Sequence, residues 1–229
     1  MIPPRGVVIV FAKAPRPGEV KTRMCPPLSH GEAAELYASM LADVLEATAR
    51  AAQSLGIDPV LAVHPPALCG ELARDVPTPF RVVPQRGADL AARMAWAVRE
   101  AAAGGVARML LRGSDSPTLD GAALASAFDG LDAHDVVLRP DRDGGYNLVG
   151  LRRPTPEIFD HPMSTASVMA DTLARASARG LLVQVAEPGF DLDTPADLRW
   201  LARERERAAV LCARTLAFAD RRGLWRHAG

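Results

Sequence analysis

Val106-Ala107-Arg108-Met109-Leu110-Leu111-Arg112-Gly113-Ser114-Asp115-Ser116-Pro117 is the stretch that decides the class of fold. Val106 and the run Met109-Leu110-Leu111 form an apolar core that ends in Gly-Ser-Asp-Ser-Pro, which no regular element continues. Such a run suits a strand buried on both faces, as in a parallel sheet with helices on either side. The turn leaves Asp115 at the strand's carboxyl end, where open α/β sheets place their ligands. Gly113 lets the backbone turn sharply or approach a ligand closely, and Pro117 ends the strand by removing a donor. A carboxylate there, beside the hydroxyls of Ser114 and Ser116, can hold a hard cation or a sugar hydroxyl. An Asx-turn that caps the next helix would use the same letters.

Working outward, the same alternation recurs. Toward the N-terminus, Gly6-Val7-Val8-Ile9-Val10-Phe11 reads as a buried first strand. Ser29-His30-Gly31-Glu32 is a capping box, and the helix it opens carries Leu36, Met40, Val44 and Leu45 on one stripe through about Gln53. Pro59 to Val63 and Phe80 to Val83 read as two further strands, and a helix runs from Leu90 to about Ala103, where Gly104-Gly105 stops it. Toward the C-terminus come a helix around Gly121 to Phe128 and a strand at Asp135 to Leu138. Asp143-Gly144-Gly145 then predicts a hairpin or bulge. Ser164-Thr165 is expected to cap a helix through Leu173, and Leu181 to Val185 is a last strand. One long helix is expected at about 195–219, with Thr194 as N-cap, Pro195 in the first turn and Asp197 favouring the helix dipole. Strands and helices alternate throughout, so the class is α/β: a Rossmann-like, mostly parallel sheet flanked by helices.

The chain of 229 residues is expected to form a single domain, 1–229. Lys+Arg and Asp+Glu number 27 each, so no global field draws in nucleic acid or acidic membranes. Cys25, Cys69 and Cys212 show neither metal-ligand nor redox spacing, and an odd count without a framework fits a reducing, cytoplasmic setting. No apolar run approaches the ~18 residues of a membrane span. His64, His134 and His161 lack triad spacing, which argues against a Ser-His-Asp hydrolase. The alternating charges of Arg203 to Arg207 read as a solvated helix face, compatible with a homodimer contact.

Several motifs could carry chemistry. The loop after the first strand, Ala12-Lys13-Ala14-Pro15-Arg16-Pro17-Gly18-Glu19-Val20-Lys21-Thr22-Arg23, gathers Lys13, Arg16, Lys21 and Arg23, and Gly18 gives the backbone room. Such charge suits a polyphosphate, which Arg binds bidentately and Lys as a point charge, although a solvated basic loop explains the same residues. It is neither a Walker A loop nor Gly-x-Gly-x-x-Gly. Gln85, Gly87 and Asp89 are candidates for recognising a base or sugar, with Asp89 equally an N-cap. Asp143, Gly144, Gly145 and Tyr146 could press backbone and hydrogen bonds against a substrate, as could a plain turn. Asp191 and Asp193 are read as pointing to opposite faces of an extended segment, which leaves Asp193 toward the site. With Asp115 it would offer two oxygen ligands to Mg²⁺, phosphates and water completing the shell.

Taken in order, Phe11 to Arg23, Gln85-x-Gly87-x-Asp89-Leu90, Gly113 to Pro117, Asp143 to Tyr146 and Asp191 to Pro195 resemble the DUF2064 family, also labelled radical-SAM/selenodomain-associated transferase 1. The resemblance covers about residues 6 to 200. It implies the GT-A fold of the nucleotide-diphospho-sugar transferase superfamily, and members of the family are widely labelled glycosyltransferases. The first block is also similar to the N-terminal loop of 2-phospho-lactate guanylyltransferases, where a Lys and a later Lys-x-Arg handle the nucleotide triphosphate. That similarity falls on Lys13, Lys21 and Arg23. The superfamily's metal-holding acid corresponds to Asp115, and a second late acid to Asp193, for Mg²⁺ or Mn²⁺. The chain departs from the pattern in two places: Ser114-Asp115-Ser116 is not an Asp-x-Asp pair, and Ala14-Pro15-Arg16-Pro17-Gly18 replaces the guanylyltransferases' Gly-rich loop.

The resemblance thus implies a transferase binding an NTP or nucleotide-sugar and a small-molecule acceptor. Its catalytic residues would be Lys13, Lys21 and Asp115. The nucleotide would lie on Ala12, Lys13, Arg16, Gly18, Lys21, Arg23, Gln85, Gly87, Asp89, Gly113 and Ser114, with the acceptor near Asp143, Gly144, Gly145 and Tyr146. Nucleotidyl and glycosyl transfer need the same cation-lined pocket; the basic loop tilts the reading slightly toward nucleotidyl transfer, while the family's label points to glycosyl transfer. A nucleotide-binding module without catalysis is the rival of another class.

Overall fold

A computed structural model of the chain describes residues 6–163 and 165–227. Seven strands, β1 (Val7–Lys13), β2 (Asp58–His64), β3 (Arg81–Pro84), β4 (Met109–Gly113), β5 (Val136–Pro140), β6 (Tyr146–Leu151) and β7 (Val183–Val185), form one sheet in the order β3-β2-β1-β4-β6-β5-β7. All run parallel except β6, which is antiparallel to both β4 and β5. The reversal follows from the Asp-Gly-Gly turn, which folds β6 back on β5 with a register shift between Arg139 and Pro140. The chain leaves β1 toward β2 and β3, then returns to lay β4 on β1's other side. That reversal of winding between β1 and β4 opens a crevice at their carboxyl ends.

Both faces of the sheet are covered, which is why its strands are apolar at nearly every position. Val7, Ile9, Met109, Leu111, Val136, Leu138, Val149 and Leu151 pack on one face with Met94 and Val98 of α3 (Leu90–Ala103) and Ala176 of α5 (Val168–Ala178). Their alternate neighbours turn to the other face. There Val8, Leu110, Val137 and Leu148 meet α4 (Gly121–Gly130), and Val10, Leu61 and Val63 meet α1 (His30–Leu55). Burying each such Val or Leu contributes roughly 1.5–3 kcal/mol. α1 begins at the expected capping box, in which the Ser29 amide donates to Glu32 Oε2 at 2.9 Å and the Glu32 amide donates to Ser29 Oγ at 3.3 Å. A short α2 (Cys69–Leu72) lies between β2 and β3. The cap expected at Ser164-Thr165 is not where α5 starts: the helix begins at Val168 after Ser167, and Ser164 lies outside the described residues. No helix among the described residues is long and apolar enough to cross a membrane.

The C-terminal segment corrects a second expectation. Instead of one helix it forms α6 (Leu198–Arg203), α7 (Arg205–Leu211) and α8 (Ala213–Arg221), after a turn at Pro195–Asp197. Leu201, Ala208, Cys212, Leu216 and Ala219 keep helical spacing across both breaks and pack on Leu36 and Met40 of α1. The pattern therefore looks continuous although the backbone is not. The second break has a clear cause. Asp43 of α1, 3% exposed, accepts from the Thr215 amide and hydroxyl at 2.8 Å each and from the Arg214 amide at 3.2 Å, so it supplies a new N-terminal cap for α8.

Candidate active site

A cleft of about 760 Å³ opens at the carboxyl ends of β1 and β4 and extends over the start of β6. Its floor is set by a buried arginine. Arg112, 2% exposed, faces below the turn that follows β4. Its guanidinium donates to the carbonyls of Ser116 at 2.9 Å and Leu119 at 3.3 Å and to Thr48 Oγ1 at 3.2 Å. Burial, then the charge of Arg139, pulls it below the ordinary arginine range. These bonds fix Gly113-Ser114-Asp115-Ser116 as a rigid shelf, and the Leu192 amide donates to the Asp115 carbonyl at 2.9 Å from above.

Tyr37 of α1 joins the two strand ends. Its hydroxyl accepts from the Lys13 amide at 3.0 Å and shares a hydrogen bond of 2.7 Å with Ser114 Oγ, and the phenol is 2% exposed. Burial holds that phenol above the usual tyrosine range. The sequence reading missed Tyr37, because a tyrosine on the apolar stripe of a helix looks like core.

Lys21 is the centre of the charged network. Its backbone is left-handed, at φ 47°, the one positive φ among the non-glycine described residues. The conformation aims Nζ inward, where it pairs with Asp115 and, at 2.6 Å, with Asp193 Oδ1. The Lys21 side chain is 3% exposed, whereas those of Asp115 and Asp193 are 40% and 32% exposed. Burial alone would lower its pKa, but the charges of Asp115 and Asp193 outweigh burial and raise it above the ordinary lysine range. Arg23 lies further out, 3.6 Å from Asp193.

Asp191 and Asp193 both line the cleft. The expectation that only one would face it is corrected. On an extended segment residues i and i+2 share a face, and it is Leu192, fully buried, that points the other way into the core. Asp191 accepts from Ser116 Oγ, and its amide donates to Asp141 Oδ1 at 2.9 Å. Burial, then the neighbouring charges of Asp115 and Asp141, drives the Asp191 carboxyl well up from its ordinary value. Burial, with the charge of Asp143 beside it, pushes Asp141 up to about 6.

Of the residues expected to hold a nucleotide, the cleft gathers Ala12, Lys13, Lys21, Arg23, Gln85, Gly113 and Ser114, together with Asp115 and Asp193. Gln85 spends both amide hydrogens on the wall, donating to the carbonyls of Ala62 at 2.8 Å and Ala12 at 3.1 Å. Four others stand back from the lining. Arg16 pairs with Glu71, Gly18 supplies a turn at φ 80°, Asp89 caps α3 through the Ala92 amide at 2.8 Å, and Gly87 packs on α3. A Cβ on Gly87 would meet the Arg93 amide at 2.7 Å. On the acceptor side Asp143, Gly145 and Tyr146 line the cleft, while Gly144 closes against the Ala166 carbonyl instead. Arg93, Asp141, Asn147 and Asp191 line it unforeseen.

Hard carboxylate oxygens at Asp115 and Asp193 suit a divalent cation such as Mg²⁺. Among the described residues no three carboxylate, histidine or cysteine side chains converge into a ready-made cage. A donor pair of this kind fits an ion that keeps most of its shell in water and phosphate.

The architecture has clear relatives. A family described as an uncharacterized protein conserved in bacteria, DUF2064, matches residues 47–165. The chain belongs to the DUF2064 family. Phosphoenolpyruvate guanylyltransferase of Chloroflexus aggregans is 29% identical over 125 residues, 54% of this chain and 62% of the relative, so less than two thirds of that protein's length is spanned. 3-Phospho-D-glycerate guanylyltransferase of Phenylobacterium zucineum is 33% identical over 190 residues, 80% of this chain and 84% of the relative. A crystal structure from Desulfovibrio desulfuricans, described as a nucleotide-diphospho-sugar transferase, superposes with a TM-score of 0.89 at 28% identity and covers 98% of both chains. This DUF2064 chain has a GT-A-like fold.

Proposed function

We propose that the cleft transfers a nucleotidyl group from an NTP to a small acceptor. The observation that carries this reading is the Lys21 ammonium, buried between Asp115 and Asp193 at the crevice between β1 and β4, with Lys13, Arg23 and Arg93 around it. A triphosphate fits such a basic mouth, and guanylyl transfer in two relatives makes GTP the first donor to try. The acceptor oxygen attacks the α-phosphorus and pyrophosphate departs. Little covalent work is left to the protein, so its contribution is placement and charge. Lys13 and Arg23 orient the phosphates, and Lys21 keeps its proton at Nζ to offset charge building on the leaving group. Mg²⁺ held by Asp115 and Asp193 would supply Lewis-acid polarisation of the phosphate oxygens. Tyr37 and Arg112 hold the strand ends and shelf in register.

Glycosyl transfer from a nucleotide-sugar is the second reading, favoured by the description of the Desulfovibrio neighbour. Thermal shift against NTPs and nucleotide-sugars, with and without Mg²⁺, separates the two. A ligand at ~100 times its dissociation constant adds about 2.7 kcal/mol, or roughly 5–10 °C for a chain of this size. A shift with GTP or another NTP, absent with its sugar conjugate and accompanied by pyrophosphate release, supports nucleotidyl transfer. The reverse pattern supports glycosyl transfer, and no shift with any nucleotide removes the phosphate site.

A further inference from the structure

The cleft is divided by charge. Its β1 side carries Lys13, Lys21, Arg23 and Arg93 against Glu19, Asp115 and Asp193, whereas its β5–β6 side carries Asp141 and Asp143 beside Tyr146 and Asn147, with Asp191 between the two. The three arginines of that second side are all engaged: Arg112 lines the cleft, whereas Arg139 and Arg142 stand behind the lining. Arg112 is consumed by the shelf, Arg139 donates to Asn147 Oδ1 at 2.9 Å, and Arg142 stacks on Trp200 with its guanidinium 3.5 Å from the ring centroid. None of these three guanidiniums therefore reaches into the acceptor end free to meet a phosphate or carboxylate. Asn147 adds a second pointer: it is 3% exposed, lines the same wall, and its Nδ2 is buried without a partner among the described residues. A donor in that state calls for a ligand oxygen, and ionised carboxylates accept only from O–H or N–H donors.

We infer that the acceptor is a hydroxyl compound without negative charge, a polyol, sugar or amino alcohol, and not a phospho-acid of the kind named for the two guanylyltransferase relatives. The inference rests on the nucleotidyl-transfer reading. Carboxylates grip hydroxyl hydrogens, tolerate an ammonium group and repel an anionic acceptor, and like-charge juxtaposition is a strong basis for rejection. An alcohol also needs a base, whereas an acceptor phosphate does not. In the step proposed, the alcohol oxygen bonds to the α-phosphorus, and the bond from that phosphorus to the α–β bridging oxygen breaks. Pyrophosphate leaves with the electron pair, and the hydroxyl proton passes to the Asp141–Asp143 pair.

The test measures pyrophosphate release by the full chain with the NTP that gives the largest thermal shift. Acceptors are glycerol, a set of sugars, and 2-aminoethanol and related amino alcohols, set against phosphoenolpyruvate and 3-phosphoglycerate. At least one alcohol should exceed both phospho-acids 100-fold in kcat/KM. The double variant Asp141→Asn, Asp143→Asn keeps the turn's acceptor oxygens. It should lower that alcohol's kcat/KM at least tenfold while the NTP thermal shift persists, which also certifies folding. Faster turnover of either phospho-acid, consumption of no alcohol in the set while the NTP binds, or an unchanged alcohol kcat/KM in the double variant overturns the inference. Absence of any NTP shift is a different failure: it removes the nucleotide reading, and this inference with it.

Discussion

Replacing Lys21 with methionine probes the charged network most directly. Methionine fills the space of the lysine stem, so the change isolates the ammonium group. Trading a whole buried ion pair for apolar residues is often neutral, but removing one partner strands the other and costs about 3–5 kcal/mol when both are buried. Exposed pairs are worth only about 0–1 kcal/mol. Here the ammonium is 3% exposed, but Asp115 and Asp193 retain 40% and 32%, so water takes over part of its role. Arg23, 3.6 Å from Asp193, supplies some remaining charge. We therefore expect Lys21→Met to destabilise the fold by about 2 kcal/mol, a fall in Tm of roughly 4–8 °C. Differential scanning fluorimetry in low salt reads this. The same experiment with millimolar Mg²⁺ and no nucleotide should restore several degrees to the variant and little to the wild type, in which the ammonium already offsets part of the carboxylates' charge and no phosphate is present to complete the ion's shell. A variant that melts within a degree of wild type, or one that gains no more from Mg²⁺ than wild type does, refutes the argument that Lys21 serves as counter-ion to that pair.

Two further outcomes follow from the same geometry. Tyr37→Phe deletes the acceptor for the part-buried Lys13 amide and the partner of the buried Ser114 Oγ, so it should cost about 2 kcal/mol in a urea melt. Hydrogen exchange at the Lys13 amide should quicken selectively; unchanged protection there would mean that the phenol does not bolt the strand ends together. Stability should also fall as pH rises toward neutrality. Asp141 titrates near 6 in the fold and near 4 when unfolded, so between those values the folded state binds more protons and each step up in pH favours unfolding. Tm should therefore be higher at pH 5.5 than at pH 7.5, and Asp141→Asn should flatten the difference. An identical pH slope in that variant would show that Asp141 is not under strain.

The sheet was legible because burial on both faces leaves so little choice of residue. β1, β4 and β5 carry continuous apolar runs, and the breakers that end them, Gly113 with Pro117 and Asp143-Gly144-Gly145, also mark the cleft. Local rules also sufficed for the caps at Ser29 and Asp89. What stayed hidden depends on contacts distant in sequence. Tyr37 acts on Ser114, 77 residues away, and Asp43 reaches Thr215 across 172. No periodicity encodes either partner. Asp191 was misassigned through the strand's own geometry, since i and i+2 lie on one face. The charge division of the cleft was invisible for a related reason: Arg139 and Arg142 sit beside Asp141 and Asp143 in the sequence, and only the fold packs one behind Asn147 and the other on Trp200.

The reversed strand has an evolutionary consequence. Because β6 runs against its neighbours, its first residues, Tyr146 and Asn147, stand at the same end of the sheet as the last residues of β4 and β5. One tight turn, 141–145, thus carries much of the wall opposite the basic loop, and its length is independent of every element that carries Lys13, Lys21 or Asp115. Surface turns accept insertion and substitution far more readily than buried strands. Lineages sharing this scaffold could diverge in what this wall receives by redrawing that one turn, while inheriting the basic half unaltered.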